Sequence, residues 1–311
     1  MTPEDQHILA DFGSLTYYNT INAVVAVAGY GIFVLGTLIA IQILMTKSWT
    51  RSRIALFTCL IIMYFCFTWQ TLCGTVVDFI STKYTLIEVI GGSDGFETEV
   101  VISDKKALPL QYMQSWPGTI IVLLNDALVV WRAWILFQNS RLPKFTLAFL
   151  MVANVGVNIA DCIWIDTQIL SEAFTSSVLD WLSSVLSLVV NMLATGLIAW
   201  MAWQERTRTH RQFMAQATVH TKSKAENLLL LLIESGAIFC AIQVVFVVLV
   251  IMDSVIVVTK VFHVATGITY TATSCYPAAV TMLLSQDSSP LIETFQITQT
   301  RVDPEEDHYE V

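Results

Sequence analysis

The sequence predicts an all-α membrane protein, a bundle of seven transmembrane helices with its N-terminus outside and its C-terminus in the cytosol. Three observations predict it. The 311 residues are 55% hydrophobic and only 13% charged, with a mean hydropathy of +0.64, far from the balance of a soluble domain. Long apolar runs recur, each able to span a hydrocarbon core of about 30 Å at about 1.5 Å per residue. Lysine and arginine divide unequally between alternate loops.

The runs are 20–45, 54–80, 116–137, 145–168, 180–203, 226–252 and 257–284. Residues 1–19 carry Glu4, Asp5 and Asp11 rather than a basic stretch, so no cleaved signal peptide is expected and the first run serves as the targeting signal. The transmembrane domain covers 20–285. Between the second and third runs lies the longest outer loop, 81–115, with "TLIEVIGGSDGFETEVVIS". Two β-prone segments flank the turn-rich "GGSDG", which predicts a hairpin lying over the outer mouth. Between the fifth and sixth runs, 204–224 reads "QERTRTHRQFMAQATVHTKSK", a basic, helix-capable cytosolic loop. The tail 286–311 ends "RVDPEEDHYEV" and is expected to be acidic and disordered.

Orientation follows from the basic residues. One side holds Lys47, Arg51, Arg53, Arg132, Arg141, Lys144, Arg206, Arg208, Arg211, Lys222, Lys224 and Arg301, the other only Lys83, Lys105, Lys106 and Lys260. The positive-inside rule makes the first side cytosolic, the parity that seven spans require. Tryptophans mark both interfaces, with Trp131, Trp134, Trp200 and Trp203 near inner ends and Trp116, Trp164 and Trp181 near outer ends. Trp69 is the exception, deeper in the second run.

Several functions are disfavoured at once. A net charge of -9 argues against nucleic acid, whose phosphates need clustered Lys and Arg. All six cysteines fall inside the runs without zinc spacing, so neither an extracellular disulfide nor a metal site is expected. Neither HExxH nor GxGxxG occurs, and the chain is expected to be neither an enzyme nor a holder of a cofactor. A retinal pump would need a lysine midway along the seventh run, whereas Lys260 sits at its outer end.

The informative residues are the polar ones inside the runs. Asn125 and Asp126 lie at the centre of the third and Asn191 at the centre of the fifth. Asn154, Asn158 and Asp161 are spaced i, i+4, i+7 on one face of the fourth. With Thr271, Thr273 and Ser274 of the seventh, they predict a midplane polar cluster opening outward towards Gln70, Gln243 and His263. For the asparagines the alternative is interhelical bonding of about 0.6 kcal/mol each. Asp126 asks for more, since an ionised carboxylate at mid-depth needs a cation, water or a proton of its own. Arg132 and Glu234 lie about 8 Å and about 7 Å to the cytosolic side of centre. Pairing would explain both, whereas an unpaired Arg132 would have to snorkel to the headgroups.

The topology, the basic fifth-to-sixth loop, Arg132 in "VVWRAW" and Tyr276 with Pro277 in "CYPAAVTML" resemble a G-protein-coupled receptor. Closer is a resemblance to a seven-transmembrane family of basidiomycete (mushroom-forming) fungi. It rests on Asp126 followed by Trp131 and Arg132, on Glu226, Glu234, Ser235 and Gly236 in "ENLLLLLIESGAIFC", and on Tyr276 and Pro277. The resemblance implies a fold and a plasma-membrane location, without an activity or cofactor. The expected function is a receptor-like protein in the bilayer that takes a small extracellular ligand and signals through its cytosolic loops, with a heterotrimeric G protein as a possible partner. Ligand-pocket candidates are Asp126, Asn154, Asn158, Asp161, Asn191, Gln243 and His263; switch candidates are Arg132, Glu234, Tyr276 and Pro277. The alternative is a transporter or lipid-handling protein that uses intramembrane carboxylates.

Overall fold

A computed structural model describes residues 3–46, 49–83, 95–137, 141–171, 178–213, 222–256 and 259–286. They form seven helices: α1 (Pro3–Met45), α2 (Arg51–Thr82), α3 (Gly95–Leu136), α4 (Arg141–Ser171), α5 (Val178–Phe213), α6 (Lys222–Ile256) and α7 (Thr259–Gln286). Among the described residues there is no strand, and six helices are long and apolar enough to cross a membrane. The sixth of these segments is Leu232–Met252 of α6. By contrast α7 carries Thr269, Tyr270, Thr271, Thr273, Ser274 and Tyr276 along its length. Large apolar side chains such as Phe65, Phe79, Phe149, Val152 and Ile238 are exposed on the outside of the bundle, where only lipid could cover them. The chain is a multi-pass integral membrane protein.

Each helix packs on its sequence neighbour and α7 closes the ring on α1, while α3 also touches α5 and α7 across the middle. Small residues set the closest approaches, as expected where lipid is as apolar as the helix surfaces. On α1 and α7, Asn22 faces Gly267, Gly29 faces Thr271 and Gly36 faces Ala278, all in rising order, so these two helices run parallel. On α2 and α3 the contact is reciprocal and antiparallel. Gln70 covers Gly118 and Gln114 covers Gly74, each glutamine four residues before the glycine of its own helix in "QTLCG" and "QSWPG". The apolar core divides accordingly. Val129, Ala133, Leu147, Val190, Ala194, Phe239 and Val280 fill the α3–α7 half, and Phe33, Met63, Phe67 and Ile121 fill the space between α1, α2 and α3.

Three helices extend beyond the apolar runs. Proline at the first helical position lacks an N–H that would be unbonded there anyway, and α1 starts at Pro3 within the stretch expected as an extracellular terminus. α5 continues to Phe213, so the first half of the basic 204–224 loop is helical, and 214–221 lie outside the described residues. The hairpin expected over 81–115 is corrected on its second half. Residues 96–103, read as a strand, are in the opening turns of α3, and 84–94 lie outside the described residues. A two-stranded hairpin alone is marginal, whereas a helix continuous with a packed span satisfies its own backbone, and Glu97 and Glu99 suit a helix N-terminus. The tail 287–311 also lies outside the described residues.

Helix ends carry the expected local chemistry. Thr50 caps α2, its hydroxyl accepting from the Arg53 N–H at 3.4 Å. Trp200 and Trp203 meet edge to face at 5.8 Å on α5, and the Lys144 ammonium sits 5.5 Å from the Trp134 ring centre. At the opposite end of the bundle, Asp166 of α4 accepts from Ser115 Oγ at 3.1 Å and Trp116 Nε1 at 3.0 Å, while the Tyr112 hydroxyl donates to the Asp166 carbonyl at 2.9 Å. This fastens α3 to α4 close to Trp116.

The α5–α6 approach leaves no room for a side chain at its closest point. A Cβ at Gly236 would stand 2.9 Å from both Cγ2 and Oγ1 of Thr195. Gly236→Val is therefore expected to destabilise by about 1–3 kcal/mol, seen as a lower thermal midpoint of purified protein in detergent. Gly156→Ala, at a position with open space around it, should leave that midpoint unchanged or raise it.

Candidate functional site

The polar side chains converge on Asp126, which is wholly buried on α3. Its carboxylate accepts three hydrogen bonds, from Asn154 Nδ2 of α4 at 2.7 Å, Ser187 Oγ of α5 at 2.7 Å and Asn191 Nδ2 of α5 at 2.6 Å. Gln243 of α6 closes a ring behind them. Its Nε2 donates to Ser187 Oγ at 3.2 Å and its Oε1 accepts from Asn191 Nδ2 at 3.0 Å. The proton count is consistent around that ring: Asn191 uses one N–H on Asp126 and one on Gln243, and Ser187 donates once and accepts once. Behind Asn154, Asn158 Nδ2 donates to its Oδ1 at 3.0 Å and to its backbone carbonyl at 2.9 Å.

This arrangement answers what a mid-depth carboxylate needs. Removing an ion from water carries an effective penalty of several kcal/mol, and each hydrogen bond to a charged group returns about 1.5–3 kcal/mol. Three converging donors are thus of the right size to hold Asp126 without a basic side chain. The helix spacing makes it possible. Asn154 and Asn158 are i, i+4 on α4, and Ser183, Ser187 and Asn191 are i, i+4, i+8 on α5, so each helix turns one polar stripe to α3.

The other candidates divide. Asp161 is half-buried one turn beyond Asn158 and accepts from Ser183 Oγ at 2.9 Å, beside the ring rather than in it. The hydroxyls of Thr271 and Ser274 bond their own helix at Gly267 and Tyr270, so they add nothing to the Asp126 cluster. Gln70 packs over Gly118. The side chain of His263 lies outside the described residues.

Arg132 is buried, and Tyr276 rather than Glu234 holds it. Its Nη1 donates to the Tyr276 hydroxyl at 3.1 Å, and its guanidinium carbon lies 5.3 Å from the centre of the same ring. Phe239 of α6 stacks on that ring at 4.3 Å. Equal depth did not imply a pair, because azimuth also counts. The buried stripe of α6 runs Gly236, Phe239, Gln243, Val247, and Glu234, two residues before Gly236, lies on the far side and is exposed. Pro277 is buried next to Tyr276, and its carbonyl accepts from the Thr281 hydroxyl at 2.7 Å.

Two participants were missed from sequence. Ser187 is central, and its signal was the Ser183–Ser187–Asn191 spacing in "LSSVLSLVVN". Asn125, wholly buried, was placed at mid-depth without a role; its Nδ2 donates to the backbone carbonyl of Thr273 on α7 at 3.1 Å. Comparison with protein-family models, curated proteins and solved structures finds no match for the chain.

Asp126→Asn would turn an acceptor-only group into one that presents two N–H donors to three existing donors. It is expected to lower stability by about 1–3 kcal/mol, read as the thermal midpoint in detergent. Ser187→Ala removes one donor and should lower it less.

Proposed function

We propose that this chain is a receptor-like seven-pass protein of the plasma membrane, with its N-terminus outside, its C-terminus cytosolic, and α3 carrying a signal between two levels of the bundle. One observation carries the reading: α3 bonds α4 and α5 at Asp126 and α7 at Asn125 and Arg132, and Gln243 of α6 joins the cluster through Ser187 and Asn191 of α5. Six apolar helices, a ring that α7 completes, and parallel α1 and α7 support seven passes with the termini on opposite faces. The excess of Lys and Arg between α1 and α2, α3 and α4, and α5 and α6 supports a cytosolic position for those connections.

On this reading a small extracellular ligand perturbs the polar cluster, and a cation or hydrogen-bond donor is the chemistry that competes for a carboxylate held only by neutral donors. The change reaches the cytosolic end through the Arg132–Tyr276 contact and the helical extension of α5 to Phe213. A heterotrimeric G protein is the proposed partner there. Bundles with such buried networks change state by small helix shifts between discrete packings.

A second reading is favoured by the two carboxylates. Ser183 and Ser187, one turn apart on α5, donate to Asp161 and Asp126 respectively, the kind of linked intramembrane acids that proton-coupled transporters use.

The experiment is nucleotide exchange on a panel of Gα subunits, using membranes with matched amounts of wild type, Tyr276→Phe, Arg132→Gln and Glu234→Gln. Tyr276→Phe and Arg132→Gln are expected to raise ligand-independent exchange about tenfold or more, the loss of one buried charged hydrogen bond, and exposed Glu234→Gln to leave it at the wild-type level. No exchange from any folded variant would remove the receptor reading. Proton flux into proteoliposomes that is abolished by Asp161→Asn would then establish the transporter.

A further inference from the structure

Proline inside a helix has no N–H to give, so the carbonyl four residues earlier loses its intrahelical partner. In a bilayer that carbonyl has no water to turn to and must be satisfied by the protein. Beyond the first turn, three prolines lie inside the described helices, Pro109 and Pro117 of α3 and Pro277 of α7. Pro109 frees the carbonyl of exposed Lys105 near the start of the apolar segment, whereas Pro277 frees that of Thr273 and Pro117 that of Met113. The carbonyls of Thr273 and Met113 are both taken by side chains of a neighbouring helix. Asn125 Nδ2 of α3 donates to Thr273 at 3.1 Å, and Trp69 Nε1 of α2 donates to Met113 at 3.2 Å.

The bonds of Trp69 and Asn125 each reach a carbonyl on another helix that stands four residues before a proline, and that of Tyr112 reaches a third interhelical carbonyl with no proline after it. The third, Asp166, is near the end of α4. Trp69, the one tryptophan away from the interfaces, is thereby accounted for: its ring is half exposed while its N–H closes the gap at Pro117.

The gap in α7 differs from that in α3 in what surrounds it. Its donor, Asn125, adjoins Asp126 in the chain, and the residue before the proline, Tyr276, is held by Arg132, two turns along α3 from Asn125. We infer that Pro277 makes α7 a hinged helix whose hinge is closed from α3, Asn125 replacing the missing backbone N–H and Arg132 fixing the segment beyond it. A rearrangement of the donors around Asp126 turns the neighbouring Asn125, opens the Thr273 carbonyl and frees 277–286 to move against α3. The device works equally for a bundle that senses a ligand and for one that moves a solute.

The test is a double-mutant cycle read by amide hydrogen exchange of the full chain in lipid nanodiscs. Asn125→Leu is expected to speed exchange of α7 peptides spanning 274–284 about three- to tenfold, with peptides of Leu232–Met252 unchanged. Pro277→Ala restores the backbone donor to Thr273. In that background Asn125→Leu should no longer change exchange in α7. Equal acceleration in both backgrounds, or none in either, would overturn the hinge. Should Asn125→Leu fail to fold, Pro277→Ala alone decides: slower exchange over 274–284 than in wild type is expected, and exchange at the wild-type rate refutes it.

Discussion

A carboxylate buried at the middle of a lipid-facing bundle, with no basic side chain bonded to it among the described residues, is the constraint from which the rest of this structure follows. Asp126 is held by amide and hydroxyl donors, one from α4 and two from α5, and they reach one carboxylate only if both helices approach α3 closely. That fixes the rotation of α4 and α5 about their axes, since a turn of either by one residue would take its polar stripe away from α3. Through Gln243 it fixes α6 as well. The network is worth more in specifying one arrangement than in net stability, because hydrogen bonds between membrane helices contribute little individually.

α3 is the helix on which these requirements meet. Its central residues pass from Asn125, bonded to α7, to Asp126, bonded to α4 and α5, to Arg132, bonded to α7 again. The apolar residues among and just after them, Val129, Val130 and Ala133, complete the core on the same helix. Charge and packing therefore depend on a single stretch of about two and a half turns. The opposite end of α3 is gripped separately, by Gln70 and Trp69 on the α2 side and Asp166 on the α4 side.

Much of this could be read from the chain before any coordinates. The apolar runs located the helices, and the mid-depth polar residues Asp126, Asn154, Asn158, Asn191 and Gln243 did come together, because in lipid a polar side chain has nowhere else to turn. Depth along a helix is legible as 1.5 Å per residue. Azimuth is not legible until the buried stripe of each helix is known, which is why Glu234 was matched to Arg132 by level and Tyr276 was not. Thr271 and Ser274 of α7 misled for a local reason, as a hydroxyl can bond the carbonyl one turn back and vanish from the surface chemistry. The opening turns of α3 misled because β-branched residues around a glycine-rich turn suit a hairpin, while continuity with a packed helix overrode that preference.

The interlocked glutamines and glycines of α2 and α3 have a mechanical meaning. Gln70 over Gly118 and Gln114 over Gly74 act as two teeth in two notches, one turn apart and facing opposite ways. Sliding of either helix along the other would press a glutamine side chain against a backbone, so the reciprocal pair resists pistoning of α3 past α2 in both directions. Twisting and bending remain open to the bundle. Any large change of shape must then be borne by the helices on the other side of α3, with α2 and α3 serving as the stationary frame against which they move.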